Sequence, residues 1–109
     1  MNKQISLDDA YRILADVRPE QCFWVNNGPI IRNLREMADA LEYMKYETFR
    51  HHVNNEKNDI SNWIRDVLKD EELANETKNL KSKDKLLRKI KVSINFLEKK
   101  IEKTAISNT

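Results

Sequence analysis

Between Phe49 and Leu68 the chain places its two histidines, His51 and His52, just before a polar run from Asn54 to Asp59. Imidazole beside carboxylate is the pairing from which a divalent-metal site or an acid–base pair is made, so His52 with Glu56 or Asp59 has suitable chemistry. A metal would need a further ligand, and Cys22 is distant in sequence. Adjacent residues on a helix point about 100° apart, so only one of the two histidines faces inward. The alternative role is structural: His52 packs inside and hydrogen-bonds the region of Asn58 and Asp59, holding the loop in place. Asn and Asp are favoured in loops and at helix starts because their side chains satisfy free backbone amides. His51, His52, Asn58 and Asp59 therefore form the candidate polar site or structural cap, with no metal and no cofactor expected.

Nothing else in the chain points to a reaction. The sequence has no glycine-rich phosphate loop and no Gly-x-Ser-x-Gly nucleophile turn, and Gly28 is its sole glycine. The expectation is a protein that is not an enzyme, with no catalytic residue. Trp63 lies on an apolar stripe and reads as core rather than as a stacking platform, whereas Trp24 beside a turn reads as partly exposed.

Charge gives a second clue. The net charge is only +2, yet Met1–Thr77 hold ten Lys or Arg against fifteen Asp or Glu, and Lys78–Thr109 hold ten against three. The first part is thus −5 and the second +7, which divides the chain into residues 1–77, a small α-rich globular domain, and residues 78–109, a basic amphipathic C-terminal helix. Lys81, Lys83, Lys85, Arg88, Lys89 and Lys91 crowd the start of that helix and could follow a phosphate backbone with salt-sensitive affinity. The same lysines could equally be a solvated helix exterior or complement an acidic surface.

Periodicity supplies the elements. Leu7, Ala10, Tyr11, Leu14 and Val17 share one helix face, with Ser6 and Asp9 as a capping pair, so a helix is expected from about Leu7 to Val17, before Pro19. Two short apolar runs flank Asn26, Asn27 and Gly28 and predict a β-hairpin that buries Phe23, Val25 or Trp24 against helices. Cys22 reads as a small buried hydrophobe. Asn33 and Glu36 start a helix from Leu34 to about Met44; a brief helix follows over Glu47 to Val53, and Asn58 or Asp59 caps one carrying Ile60, Trp63, Ile64, Val67 and Leu68. Leu73 and Ala74 continue a weaker helical segment. From Leu80 the period becomes seven: Leu80, Leu87, Ile94 and Ile101 recur, with Ile90 and Leu97 as companions, an a/d seam suited to pairing with another chain, while Leu86, Val92 and Phe96 lie off the seam and offer a second apolar edge to the globular part. Ala105–Thr109 read as a frayed end.

The region from Phe23 to Ala74 resembles the DUF5752 group of small archaeal and bacterial domains. The likeness is carried by an aromatic strand before Asn27 and Gly28, then by Asn33, Leu34, Glu36, Ala40, Leu41 and Met44. It continues through Phe49, His52, Val53, Lys57, Asn58, Asp59 and Trp63, and through Ile64, Asp66, Leu68, Asp70, Leu73 and Ala74. Ile60 stands in place of an aromatic, and Lys69 stands where glycine would make a tight helix end. The resemblance implies a shared fold of unknown function.

The sequence therefore predicts a mainly α protein with one β-hairpin and a long coiled-coil-like C-terminal helix. With 35% charged residues and a mean hydropathy of −0.78, its core is thin. No run spans a bilayer and Met1–Ser6 carry no leader pattern, so a cytoplasmic location with no membrane partner is expected. The expected function is protein–protein interaction or assembly, with itself or another chain, through Leu80, Leu87, Ile90, Ile94, Leu97 and Ile101. The alternative is a nucleic-acid-associated protein using the lysines from Lys81 to Lys91.

Overall fold

A computed structural model describes residues 5–107, with side chains through Ala105. Met1–Gln4, read above for the lack of a leader pattern, and Asn108–Thr109 at the expected frayed end lie outside the described residues. Helices α1 (Leu7–Leu14), α2 (Leu34–Tyr43), α3 (Tyr46–His52), α4 (Asp59–Asp66), α5 (Glu71–Thr77) and α6 (Lys83–Ser107) surround one antiparallel hairpin, β1 (Phe23–Trp24) and β2 (Ile30–Ile31). The fold is mainly α, with a long C-terminal helix.

Local chemistry sets the helix starts. Ser6 Oγ accepts from the Asp9 amide, Asn33 Oδ1 from Glu36, Asn58 Oδ1 from Ser61 and Asp70 Oδ1 from Leu73, so each short polar cap satisfies one of the free amides of a first turn. The first helix stops at Leu14, short of the expected Val17. Ala15 turns to extended backbone, and the Val17 amide instead donates to Arg32 O at 2.8 Å, tying the strand-like segment after α1 to the end of the hairpin.

Two tight turns carry backbone of left-handed sign. At the hairpin it is Asn27, with φ of 57°, that adopts it. Gly28 serves space instead: a Cβ there would lie 2.8 Å from Val25 Cγ1, so the Asn-Gly pair divides the two jobs expected of it. The other is Lys69, with φ of 59°, where the Asp70 amide reaches back to Ile64 O at 3.2 Å. The tight helix end that glycine would favour is thus made with lysine. Arg12 of α1 donates to Leu68 O and caps the carbonyls exposed there.

The core runs through the whole chain. Leu34, Met37 and Leu41 of α2, Phe49 of α3, Ile60 and Ile64 of α4 and Leu73 of α5 are closed to solvent, and so are Leu86, Ile90 and Leu97 of α6. α6 lies against α1, α2 and α5. The heptad seam expected to pair with another chain is therefore covered by the chain's own helices: Leu87, Ile90 and Leu97 are buried, and Ile94 and Ile101 are half-buried against the same core. Leu80, half-buried, precedes the helix. Leu86, which falls off the seven-residue repeat, is among the most deeply buried residues, because a straight helix packed on a globular core follows a 3.6-residue stripe. The charge boundary at Thr77 and Lys78 is consequently not a packing boundary, and Thr77 itself is fully buried. Cys22 is half-buried rather than core, with its Sγ 3.6 Å from Arg18 O.

Replacing Ile90 by Ala is expected to cost about 2–5 kcal/mol of unfolding free energy, whereas Val92→Ala, on the opposite face, costs under about 0.5 kcal/mol. Urea denaturation followed by circular dichroism checks this; equal losses would mean that α6 does not complete the core.

Candidate functional site

His52 is buried and both of its ring nitrogens are committed. Nε2 stands 3.0 Å from the backbone nitrogen of Asn26, an amide that can only donate, so Nε2 carries the lone pair and Nδ1 carries the proton. Nδ1 then donates to Asp59 Oδ2 at 3.0 Å. Asp59 Oδ2 also lies 3.2 Å from Lys57 Nζ. The Phe23 ring meets the imidazole edge-on, 5.0 Å between centroids, and Trp63 packs on Phe23 in turn. Trp63 is core, and its Nε1 donates to Gln21 O at 2.8 Å.

This arrangement ties three pieces of chain together: the hairpin turn through Asn26, the end of α3 through His52, and the start of α4 through Asp59. Asn58 adds a fourth by capping α4 with Oδ1 while its Nδ2 donates to Thr77 O at 3.1 Å. His51 is exposed and meets His52 only ring to ring. Among the described residues, no group of three His, Cys, Asp or Glu side chains is placed to hold a metal ion. With neither nitrogen open to a ligand, the cluster acts as a clamp.

The expected basic contacts divide in two. Lys81 Nζ donates to Asn55 Oδ1, Lys83 Nζ to Met44 O and Lys91 Nζ to Glu42 Oε1, each at 2.9 Å, so these three fasten α6 and the segment before it to the rest of the fold. Lys85, Arg88 and Lys89 project from the outer face of α6.

The surface feature that sequence reading missed lies between the hairpin and the α2–α3 corner. A groove of about 720 Å³ is walled by Val25 to Ile31 on one side and by Glu36, Asp39, Ala40, Tyr43 and Glu47 on the other. Large apolar groups stand at its rim: Tyr43 is 87% exposed and Ile30 49%. Trp24, 69% exposed, is the cross-strand partner of Ile30, which puts both on the outer face of the hairpin. Signals for this were present. With Phe23 and Val25 inward, strand alternation turns Trp24 outward, and Tyr43 falls off the α2 stripe of Leu34, Met37, Ala38 and Leu41.

The groove is acidic. The Arg32 guanidinium and backbone amide hydrogen-bond the Glu36 carboxylate and hold its pKa below the usual carboxylate range. Asp39 and Glu47 are the wall's other carboxylates, against the single basic Lys45.

Comparison with protein-family models, with curated proteins and with solved structures gave no match. Among the described residues, no helix is long and apolar enough to cross a membrane.

His52→Ala leaves the Asn26 amide without its acceptor and opens a cavity beside Phe23, with an expected cost of about 2–4 kcal/mol. Asp59→Asn keeps an oxygen to accept from Nδ1 and should cost under about 1 kcal/mol. Urea midpoints for both variants test the clamp, and the reverse ranking would refute it.

Proposed function

We propose that the chain is a non-enzymatic, cytoplasmic protein-interaction module whose contact surface is the groove between the hairpin and α2–α3. The observation that carries this reading is the exposure of Ile30 and Tyr43 around one acidic concavity, with exposed Trp24 beside Ile30 on the same face of the hairpin. Aromatic side chains supply much of the energy of protein interfaces, and apolar groups gathered at a concave surface mark contact sites more often than scattered ones do. The heptad seam, with Leu87, Ile90 and Leu97 in the core, has no such surface to offer. The non-enzymatic part of the reading is supported by His52, whose two nitrogens are both occupied by protein groups. The resemblance to the DUF5752 group read from the sequence implies a shared fold of unknown function and selects no partner.

The chemistry of the groove calls for an apolar side chain flanked by Lys or Arg. Titration of the isotope-labelled chain with a helical peptide carrying one leucine between lysines should shift amide resonances of residues 25–31 and 39–48, and Ile30→Glu should weaken binding at least tenfold. Shifts scattered over the whole surface would sink the reading.

Lys85, Arg88 and Lys89 favour a second reading, contact with a nucleic-acid backbone. Three such cations give a salt dependence of slope about −3 on a logarithmic plot for a duplex. Fluorescence anisotropy with a labelled duplex in low salt tests it, and no change at high protein concentration would remove it.

A further inference from the structure

The groove has a chemical counterpart elsewhere on the same chain. On α6, opposite the stripe that enters the core, Lys85, Lys89, Val92, Phe96, Lys99 and Lys103 recur at intervals of four and three residues, the spacing of one continuous helix face. Val92 is 62% exposed in the middle of it, and Phe96 shows part of its ring one turn later. Among the described residues, Lys85, Lys89, Lys99 and Lys103 are in no ion pair, in contrast to Lys91, which is held by Glu42 on the α2 side. The stripe thus presents an apolar centre between lysines. The groove presents apolar rims, Ile30 and Tyr43, among carboxylates, Asp39 and Glu47.

We infer that the outer face of α6 docks in the hairpin–α2–α3 groove of a second copy of this chain, so that copies associate head to tail. This rests on the groove reading above and names its occupant. Charge complementarity selects a second copy: the groove belongs to the part of net charge −5, the stripe to the part of net charge +7, and every molecule carries both. Because groove and stripe are different surfaces, the contact is heterologous, and each added copy leaves one of each free. Assembly therefore proceeds past a dimer unless the geometry closes a ring. A contact of one helix ridge in one groove is smaller than the roughly 800 Å² per partner of a stable complex, so association is weak and rises with concentration. It is also salt-sensitive, since from about 10 mM to about 1 M salt the screening length falls from roughly 30 Å to roughly 3 Å.

The test is the weight-average mass of the full chain by sedimentation equilibrium, over a hundredfold range of concentration up to about millimolar, at those two salt levels. The expected result is a mass that more than doubles at low salt and returns to the monomer at high salt. Two surface variants then identify the faces: Tyr43→Ala with Asp39→Asn on the groove, and Val92→Gln with Lys89→Gln on the stripe. Neither substitution reaches the core, and circular dichroism should be unchanged. Each variant alone should remain a monomer, whereas an equimolar mixture should form a dimer and stop there, because the intact stripe of one meets the intact groove of the other. A wild type monomeric throughout overturns the inference, as does self-association that the variants leave intact or a mixture that stays monomeric.

A probe separates this failure from failure of the groove reading. It is an alanine- and glutamine-based helix bearing only the Lys–Lys–Val–Phe–Lys–Lys stripe. If it binds wild type but not the groove variant while the chain alone stays monomeric, the groove stands and self-association falls. If it does not bind either, both fall.

Discussion

Everything in this fold depends on α6 lying along the apolar edge left by α1, α2 and α5. The shorter helices have seven to ten residues each, lengths that are marginal alone in water, and each shows one apolar face and one polar face. Leu86, Ile90 and Leu97 cover the apolar faces of α1, α2 and α5 from a single element, which is how a chain with a thin supply of apolar residues closes a core. Ion pairs assist at the rim, with Arg35 on Glu98 and Lys91 on Glu42, both exposed and each worth little by itself. Burial supplies the energy, and the exposed pairs help to fix the register of α6 against α2.

The clamp at His52 serves a different purpose. The hairpin has only two paired residues on each strand, too few to hold its shape in water. A buried imidazole bonded to the turn and to Asp59 fixes it against α3 and α4, and this in turn fixes one wall of the groove. The other wall is α2, held by Asn33 and by the hydrogen bonds between Arg32 and Glu36. The groove therefore has two walls anchored by separate polar networks, and its exposed aromatics stand on rigid backbone.

Much of this was legible in the residues. Capping by Ser6, Asn33 and Asn58, the turn at Asn27 and Gly28, and the stripe through Ile60, Trp63 and Ile64 all follow from short-range rules, and each element stands within a few residues of its expected place. What was not legible is long-range. A heptad seam has the same local spacing whether it meets another chain or its own domain, and only the position of α1 and α2 decides between them. Leu86 gave the clue, since an apolar residue beside the seam broadens the stripe to the width that a globular core requires. Lys69 shows the complementary case, in which tertiary contacts, here the Arg12 cap on Leu68 O, accompany a backbone conformation that local preference disfavours. The groove was hidden because it is a space between elements, built from residues that each had an ordinary reading.

Dependence on α6 also gives the chain a history. Synthesis proceeds from the N-terminus, so α1 to α5 emerge before the helix that covers them, and their apolar faces stay open until Leu97 has followed. During that interval the nascent part carries its full net charge of −5, with no lysine-rich segment to offset it. α6, which follows α1 to α5 in the chain, thus supplies the opposite charge together with the missing side of the core.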